Sequence, residues 1–281
     1  MSFDLAVVVR QASGFIFDMD GTIALGDAAS GGHKALPHAI ETIAAVKAAN
    51  IPLRVFTNGT AKPPSAYAAS LRAAGFDVVD HEMMTPSTSA ALWLKRRGFN
   101  RVRVLGNAGC AAPLSELGLE IIGSSEPATG VDAVYTGWHR DFAFTDLEAA
   151  CADIWAGAKL VTASNVPFFA TATGRAIGAS FPINAMIRSL TSKRALVLGK
   201  PSRIAFVEAC RAMGLKPKDY GRVIIVGDDP ALEMRMASNA GAVSIGLTTG
   251  MLTRETLATL AAAERPHVLL DSLAPLLSTL V

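Results

Sequence analysis

The chain has 281 residues, 51% of them hydrophobic and 18% charged, with 26 Lys and Arg against 24 Asp and Glu. At roughly 150 residues per domain that length predicts about two domains, and so large an apolar fraction excludes intrinsic disorder. A net charge of +2 without a dense Lys/Arg stripe excludes nucleic-acid binding carried by bulk charge.

Met1 to Arg10 lacks a basic leader, so no signal peptide is expected. Nor does any later run approach the roughly 18 apolar residues of a membrane span. The first strand is Gly14-Phe15-Ile16-Phe17, stopping at Asp18-Met19-Asp20-Gly21-Thr22. A helix is predicted from Pro37 to Asn50, with Ile40, Ile43, Ala44 and Lys47 three or four apart and Pro37 suited to its first turn. Strand Leu53–Phe56 follows, ending in Thr57-Asn58, and then a helix from Ser65 to Ala74 that closes at Gly75. The grammar repeats with strands at Val102–Leu105, Ala133–Tyr135 and Lys159–Thr162, and helices at Ser87–Arg97 and Thr145–Gly157. A third section offers strands Ala195–Leu198, Val223–Val226 and Ala242–Ile245, with helices Ser202–Gly214 and Ala231–Ala240. Buried-type strands alternating with amphipathic helices predict an α/β fold with parallel sheets. Cys110, Cys151 and Cys210 are odd in number and far apart. They read as free thiols in a reducing cytoplasm, not as a disulfide framework or zinc site.

Ligands of open parallel sheets bind beyond the carboxyl ends of the strands. Several strands here end in polar residues: Asp18 and Asp20 after the first, Thr57 and Asn58 after the second, and Gly227-Asp228-Asp229 after Val226. Lys200 follows Leu198-Gly199. If those strands are neighbours, one pocket gathers carboxylates, a hydroxyl, an amide and a lysine. That inventory fits Mg²⁺-assisted phosphoryl transfer, because an anionic nucleophile meeting an anionic ester needs positive charge between them. Two carboxyls two residues apart can divide the work of nucleophile and general acid/base. Taken singly the signals are weak: Asp18-Met19-Asp20 is a short pattern, Lys200 could be a surface residue, and Gly227-Asp228-Asp229-Pro230 could be a turn with a helix cap. Their joint occurrence and order carry the argument.

Asp18-Met19-Asp20-Gly21-Thr22, Thr57-Asn58, Gly199-Lys200-Pro201 and Gly227-Asp228-Asp229 resemble, in order, the four motifs of the haloacid dehalogenase superfamily. The long insert between the second and third motifs resembles a C2-type cap of the NagD-like, p-nitrophenylphosphatase branch. The segments Val134–Phe142 and Gly157–Asn165 extend that likeness. The resemblance implies a discontinuous Rossmann-like core, residues 1–84 and 193–281, interrupted by an α/β cap at 85–192. It implies a phosphatase with Asp18 as the nucleophile that forms an aspartyl-phosphate and Asp20 as general acid/base. Mg²⁺ would be held by Asp18, the Asp20 backbone carbonyl and Asp228, while Thr57, Asn58 and Lys200 hold the phosphoryl group. Asp20 favours a phosphatase over a dehalogenase, since an ester's leaving group needs a proton. The family often has a second Asp where this chain has Glu233, so Glu233 and Asp229 are both candidates to support the metal. Pro167 stands where the branch commonly has Asp after the cap asparagine, Asn165.

Outside the motifs, His33 and Lys34 belong to the Gly-rich loop Gly26–Gly32 close after the first strand; they could contact substrate, but a solvated loop is the preferred reading. Trp138, His139, Arg140 and Asp141 form a polar-aromatic cluster. Trp138 and His139, with Asn165 and Arg175, are the candidates for substrate contact, and Phe168, Phe169, Thr171 and Thr173 in the loop of Arg175 are further ones. Gly106-Asn107-Ala108-Gly109 lacks a full dinucleotide pattern and reads as a strand-to-helix connection. The expected partner is a small phosphorylated metabolite, with no nucleic acid and no membrane; family relatives often pair through the cap, so a homodimer is the expectation. The rivals are a non-catalytic HAD-fold binding module and a phosphotransferase or mutase using the same nucleophile.

Overall fold

The computed structural model describes residues 4–27, 32–171 and 174–281, apart from the side chains of residues 27, 169–171, 174 and 175. The chain forms two compact units, one of residues 1–57, 65–84 and 200–281 and one of residues 58–64 and 85–199.

The first unit opens with α1 (Leu5–Arg10), capped by Asp4, whose carboxylate accepts the Ala6 N–H at 2.9 Å. Strand β1 (Gly14–Phe17) is wholly buried, and a two-stranded antiparallel hairpin follows it, β2 (Ala24–Asp27) with β3 (Gly32–Ala35). Next come α2 (Ala39–Ala48), β4 (Leu53–Phe56), α3 (Pro64–Ala73) and the short β5 (Met83–Met84). Helix α2 starts two residues later than its sequence pattern because His38 adopts a left-handed φ of 65°, which sets Pro37 outside the first turn.

The second unit carries α4 (Pro86–Arg96), β6 (Arg101–Leu105), α5 (Ala108–Glu116), β7 (Glu120–Ile122), β8 (Ala133–Thr136), α6 (Phe144–Trp155) and β9 (Lys159–Thr162). A second hairpin, β10 (Phe168–Thr171) with β11 (Gly174–Ile177), leads to α7 (Ser180–Thr191) and β12 (Leu196–Val197). Its parallel sheet runs β12-β9-β8-β6-β7. Strand β12, grouped in the sequence with the strands after it, pairs instead with β9, Leu196 against Val161. Helices α6 and α7 bury Leu147, Ile154, Ile183 and Ile187 with Val134 and Leu160 of the sheet. Arg103 of β6 is buried, with its Nε 2.5 Å from Asp153 Oδ2. Asn107 caps α5 by accepting the Gly109 N–H at 3.0 Å, so this turn is the strand-to-helix connection its residues imply.

The chain returns to the first unit through α8 (Arg203–Ala212), capped by Ser202, and then β13 (Val223–Gly227). A wide π-type turn at Pro230–Met234 precedes α9 (Arg235–Ala240), where periodicity alone predicts one continuous helix. Strands β14 (Val243–Leu247) and β15 (Val268–Leu270) and helix α10 (Ala274–Ser278) complete the unit. Its six-stranded sheet is parallel throughout, in the order β15-β14-β13-β1-β4-β5. Phe15 and Phe17 stack 5.4 Å apart on one face of β1 and are fully buried beside Val55, Ile224, Val226 and Ile245. Each such phenylalanine contributes roughly 1.5–3 kcal/mol from removal of apolar surface.

This order makes β1 the switch point. The chain leaves it toward β4 on one side and comes back to β13 on the other. Phe17 is level with both Val55 and Val226. Asp18 therefore emerges between the polar residues that follow the two flanking strands, where open α/β sheets bind ligands.

Candidate active site

The Asp18 N–H prolongs the sheet ladder by donating to Val226 O at 2.9 Å, which fixes its backbone. Its side chain then divides. Oδ1 lies 2.5 Å from Lys200 Nζ, while Oδ2 lies 3.2 Å from Thr22 Oγ1. The same Thr22 hydroxyl is 3.3 Å from Asp228 Oδ1, so one buried hydroxyl sits against two carboxylates. Asp228 Oδ2 accepts the Met251 N–H at 2.8 Å. Two glycines make room for this carboxylate. A Cβ on Gly250 would fall 1.8 Å from Asp228 Oδ2, and one on Gly21 (φ +83°) would fall 2.6 Å from the same atom.

Lys200 has 1% of its side chain exposed. Besides Asp18 it meets Glu233 Oε1 at 2.6 Å and the Phe56 ring, whose centroid is 5.8 Å away. Burial alone would pull its ammonium down, but the charges of Asp18 and Glu233 outweigh that and hold it above the usual lysine value. Glu233 also accepts the Asp229 N–H through Oε2 at 3.1 Å. The π-type turn is what aims this side chain inward, which accounts for the interrupted helix. Asp229 is engaged locally: its Oδ1 accepts the Ala231 N–H at 2.8 Å and caps the turn.

The charge balance is lopsided. Burial and the neighbouring Asp18 push Asp228 up to about 7. Partial loss of water, then the charge of Asp18, raises Asp20 to about 6 against the opposing pull of Lys200. Glu233 is raised by burial despite Lys200. One lysine does not neutralise this set, and a divalent cation would offset most of the remainder. The donors are hard oxygens, which suits Mg²⁺. Among the described residues no three His, Cys, Asp or Glu side chains close into a cation cage; Mg²⁺ characteristically takes one or two protein carboxylates and keeps several waters.

Thr57 is buried at the end of β4, its N–H donating to Met84 O at 3.2 Å. All these groups belong to the first unit, and Asn58 is the first residue of the second. Within the second unit, Trp138 donates its backbone N–H to Cys110 Sγ at 3.2 Å and lies under the Arg140 guanidinium, 5.5 Å from the ring centroid. His139 Nε2 is 3.0 Å from Asp146 Oδ2, which also accepts the Ala143 N–H. These bonds, with that of Ser124, hold Asp146 below its usual value against the opposite effect of burial. Asn165 is exposed on a loop anchored by Ser164, whose carbonyl accepts from Thr162 Oγ1 and Ser180 Oγ. Thr173 and the side chains of Phe169, Thr171 and Arg175 lie outside the described residues.

Sequence reasoning left Thr22, Gly250 and the Met251 N–H without a role. Thr22 stands inside a quoted motif, but the hydroxyl shared by two carboxylates is a tertiary fact. Thr248-Thr249-Gly250 after a strand was the only trace of the second. The reading of His33 as a solvated loop residue is corrected: it lies in β3 with 8% of its side chain exposed, against Ser70 and Tyr67.

A parallel sheet with this lysine-carboxylate site at its switch point is the architecture of an α/β enzyme. The family model described as Haloacid dehalogenase-like hydrolase matches residues 15–120, and the related HAD-hydrolase-like model matches residues 197–276. Chronophin of Bos taurus is 27% identical over 97% of this chain and 95% of its own. Sugar-phosphatase AraL of Bacillus subtilis is 27% identical over 85% of this chain and 84% of its own. The solved 4-nitrophenylphosphatase of Thermotoga maritima superposes with a TM-score of 0.83 at 26% identity, covering 98% of this chain and 99% of that one. The chain belongs to the haloacid dehalogenase-like hydrolases, in the NagD-like phosphatase branch that its motifs resemble.

Proposed function

We propose that this protein is a Mg²⁺-dependent phosphatase that hydrolyses a small phosphate monoester through an aspartyl-phosphate on Asp18. The observation that carries the reading is the ammonium of Lys200, buried 2.5 Å from Asp18 Oδ1, with Asp228 against the same Thr22 hydroxyl as Asp18. Asp18, Asp228 and the Asp20 carbonyl would hold the ion, with Asp229 or Glu233 in support. When bound, Mg²⁺ supplies positive charge that lets an anionic carboxylate approach an anionic ester.

The chain's own groups do the rest. Asp18 attacks phosphorus as the bond to the leaving oxygen breaks, and Asp20 gives its proton to that oxygen. Raised to about 6, Asp20 is poised to hold a proton for this step and to take one back from water when the acyl phosphate is hydrolysed. Lys200 keeps the nucleophile oriented, and Thr57 and Asn58 hold the transferring group. Residues 85–192 act as the cap on a core of residues 1–84 and 193–281, with Trp138, His139, Asn165 and Arg175 as its candidates for reading the leaving group. The three free cysteines are buried, which fits a reducing cytoplasm. Among the described residues no helix is long and apolar enough to cross a membrane. Pairing of two chains is part of the same proposal, on the family resemblance.

The test is phosphate release from a panel of sugar, nucleotide and carboxylic-acid phosphates, with Mg²⁺ and with EDTA. Wild type should release phosphate only with Mg²⁺, and Asp18→Asn should release none. Full activity in Asp18→Asn sinks the mechanism.

A further inference from the structure

His33 stands at the third strand of the first unit, and its ring bridges two elements. Its Nδ1 is 2.8 Å from Ser70 Oγ on α3, its Nε2 is 3.8 Å from Asp20 Oδ1, and its ring lies 6.3 Å from that of Tyr67 at 52°. The side chain of His33 is 8% exposed, whereas that of Asp20 is 56% exposed. The Asp20 side chain, at the open side of the site, has several rotamers available, and the buried His33 ring, held at Nδ1, has few. The Ser70 hydroxyl can donate to Nδ1, and in that tautomer the imidazole proton sits on Nε2, facing Asp20.

We propose that His33, held by Ser70, is a positioning residue for Asp20: its Nε2–H fixes Oδ1 and leaves Oδ2 directed at the leaving oxygen. This rests on the reading of Asp20 as general acid. The distance of 3.8 Å exceeds a hydrogen bond, but catalytic hydrogen bonds are often long before substrate binds and tighten in the complex. The hairpin of β2 and β3 supplies the histidine from the segment directly after the Asp18–Thr22 turn, and the Asp20–Ala24 bridge ties the two.

A leaving group that is already a good anion needs no proton, and an alcohol does. The experiment is therefore the first-turnover rate of alcohol or phenol release, with enzyme in excess and saturating Mg²⁺, for wild type, His33→Ala, His33→Gln and Ser70→Ala on p-nitrophenyl, phenyl and glycerol phosphates. This separates the attack of Asp18 from the later hydrolysis of the aspartyl-phosphate, which also uses Asp20 and is common to all three esters. His33→Ala should lower that rate on glycerol phosphate by about 10²-fold, at the lower end of general-acid effects, yet alter that on p-nitrophenyl phosphate less than about threefold. His33→Gln, which keeps an N–H donor, should recover part of the loss, and Ser70→Ala should show the same selectivity more weakly. An equal fall in first-turnover rate on all three esters, or no fall on glycerol phosphate, overturns the inference while leaving the phosphatase reading intact. Wild type inactive on every ester overturns that reading and this inference with it.

Discussion

Glu233 Oε1 lies 2.6 Å from Lys200 Nζ, and the two side chains are only 2% and 1% exposed. The pair joins the π-type turn after β13 to the residue that begins the return of the chain into the first unit. Glu233→Gln keeps the volume but has one acceptor oxygen for the two contacts of the carboxylate, Lys200 and the Asp229 N–H, so it deletes the charge and leaves one of them facing an amide NH2. Hydrogen bonds to charged groups are each worth about 1.5–3 kcal/mol, and urea unfolding should show a loss of about that size. A variant as stable as wild type would mean that Asp18 by itself satisfies the lysine.

Lys200 admits little substitution. Its ammonium fits between Asp18 at 2.5 Å and Glu233 at 2.6 Å, over the Phe56 ring. Lys200→Met should reduce kcat by about 10²–10³-fold, as removal of one preorganised charge does elsewhere. Lys200→Arg should not rescue it, because a planar guanidinium is larger than the space left by one ammonium. Steady-state kinetics on p-nitrophenyl phosphate decide this, and near-wild-type rates in the arginine variant would refute the steric argument.

Gly250→Ala probes the metal side. The new methyl would lie 1.8 Å from Asp228 Oδ2, so the carboxylate or the backbone must move. Displacing a ligand's supports typically weakens metal binding about 10–100-fold, and the half-saturating Mg²⁺ in activity titrations should rise by that factor. Gly26→Ala, where no atom of the described residues lies within 4 Å of the new Cβ, serves as the control and should leave the titration unchanged.

Acidity should govern how much Mg²⁺ stabilises the fold. Asp228 and Asp20 are raised to about 7 and about 6 from an ordinary 3.8. Between the ordinary and the raised values the folded state binds more protons than the unfolded state. The metal-free protein therefore loses stability as pH rises from about 4 to about 7, where the raised carboxyls ionise. A bound cation relieves that repulsion. Thermal melts should show a small Mg²⁺-induced rise in Tm at pH 5.5 and a larger one at pH 8; equal shifts at both would contradict the charge inventory.

Much of this arrangement can be read from residues in order. Phe15–Phe17, Leu53–Phe56 and Val223–Val226 are short apolar runs closed by polar residues, so the strands and the chemistry at their ends announce themselves together. The π-type turn was hidden because Leu232 and Met236 keep helical spacing; only the pull of Lys200 on Glu233 opens it. Strand β12 offers two residues, too few for periodicity to reveal which sheet it joins. The hairpin of β2 and β3 is short and glycine-rich, and nothing local shows that His33 turns inward. Apart from the left-handed His38 that delays α2, what escaped the sequence was contact between residues far apart along it.

The placement of β1 between β4 and β13 has a consequence for the birth of the enzyme. Asp18 and Lys200 are 182 residues apart, and Thr22 and Asp228 are 206 apart. A ribosome extending the chain at roughly 5–20 residues per second exposes Asp18 many seconds before its partners exist. Through that interval the nascent polypeptide carries a carboxylate without the lysine that orients it. A chain stopped before Lys200 lacks the ammonium beside Asp18, and one stopped before Asp228 lacks the second carboxylate on the Thr22 hydroxyl.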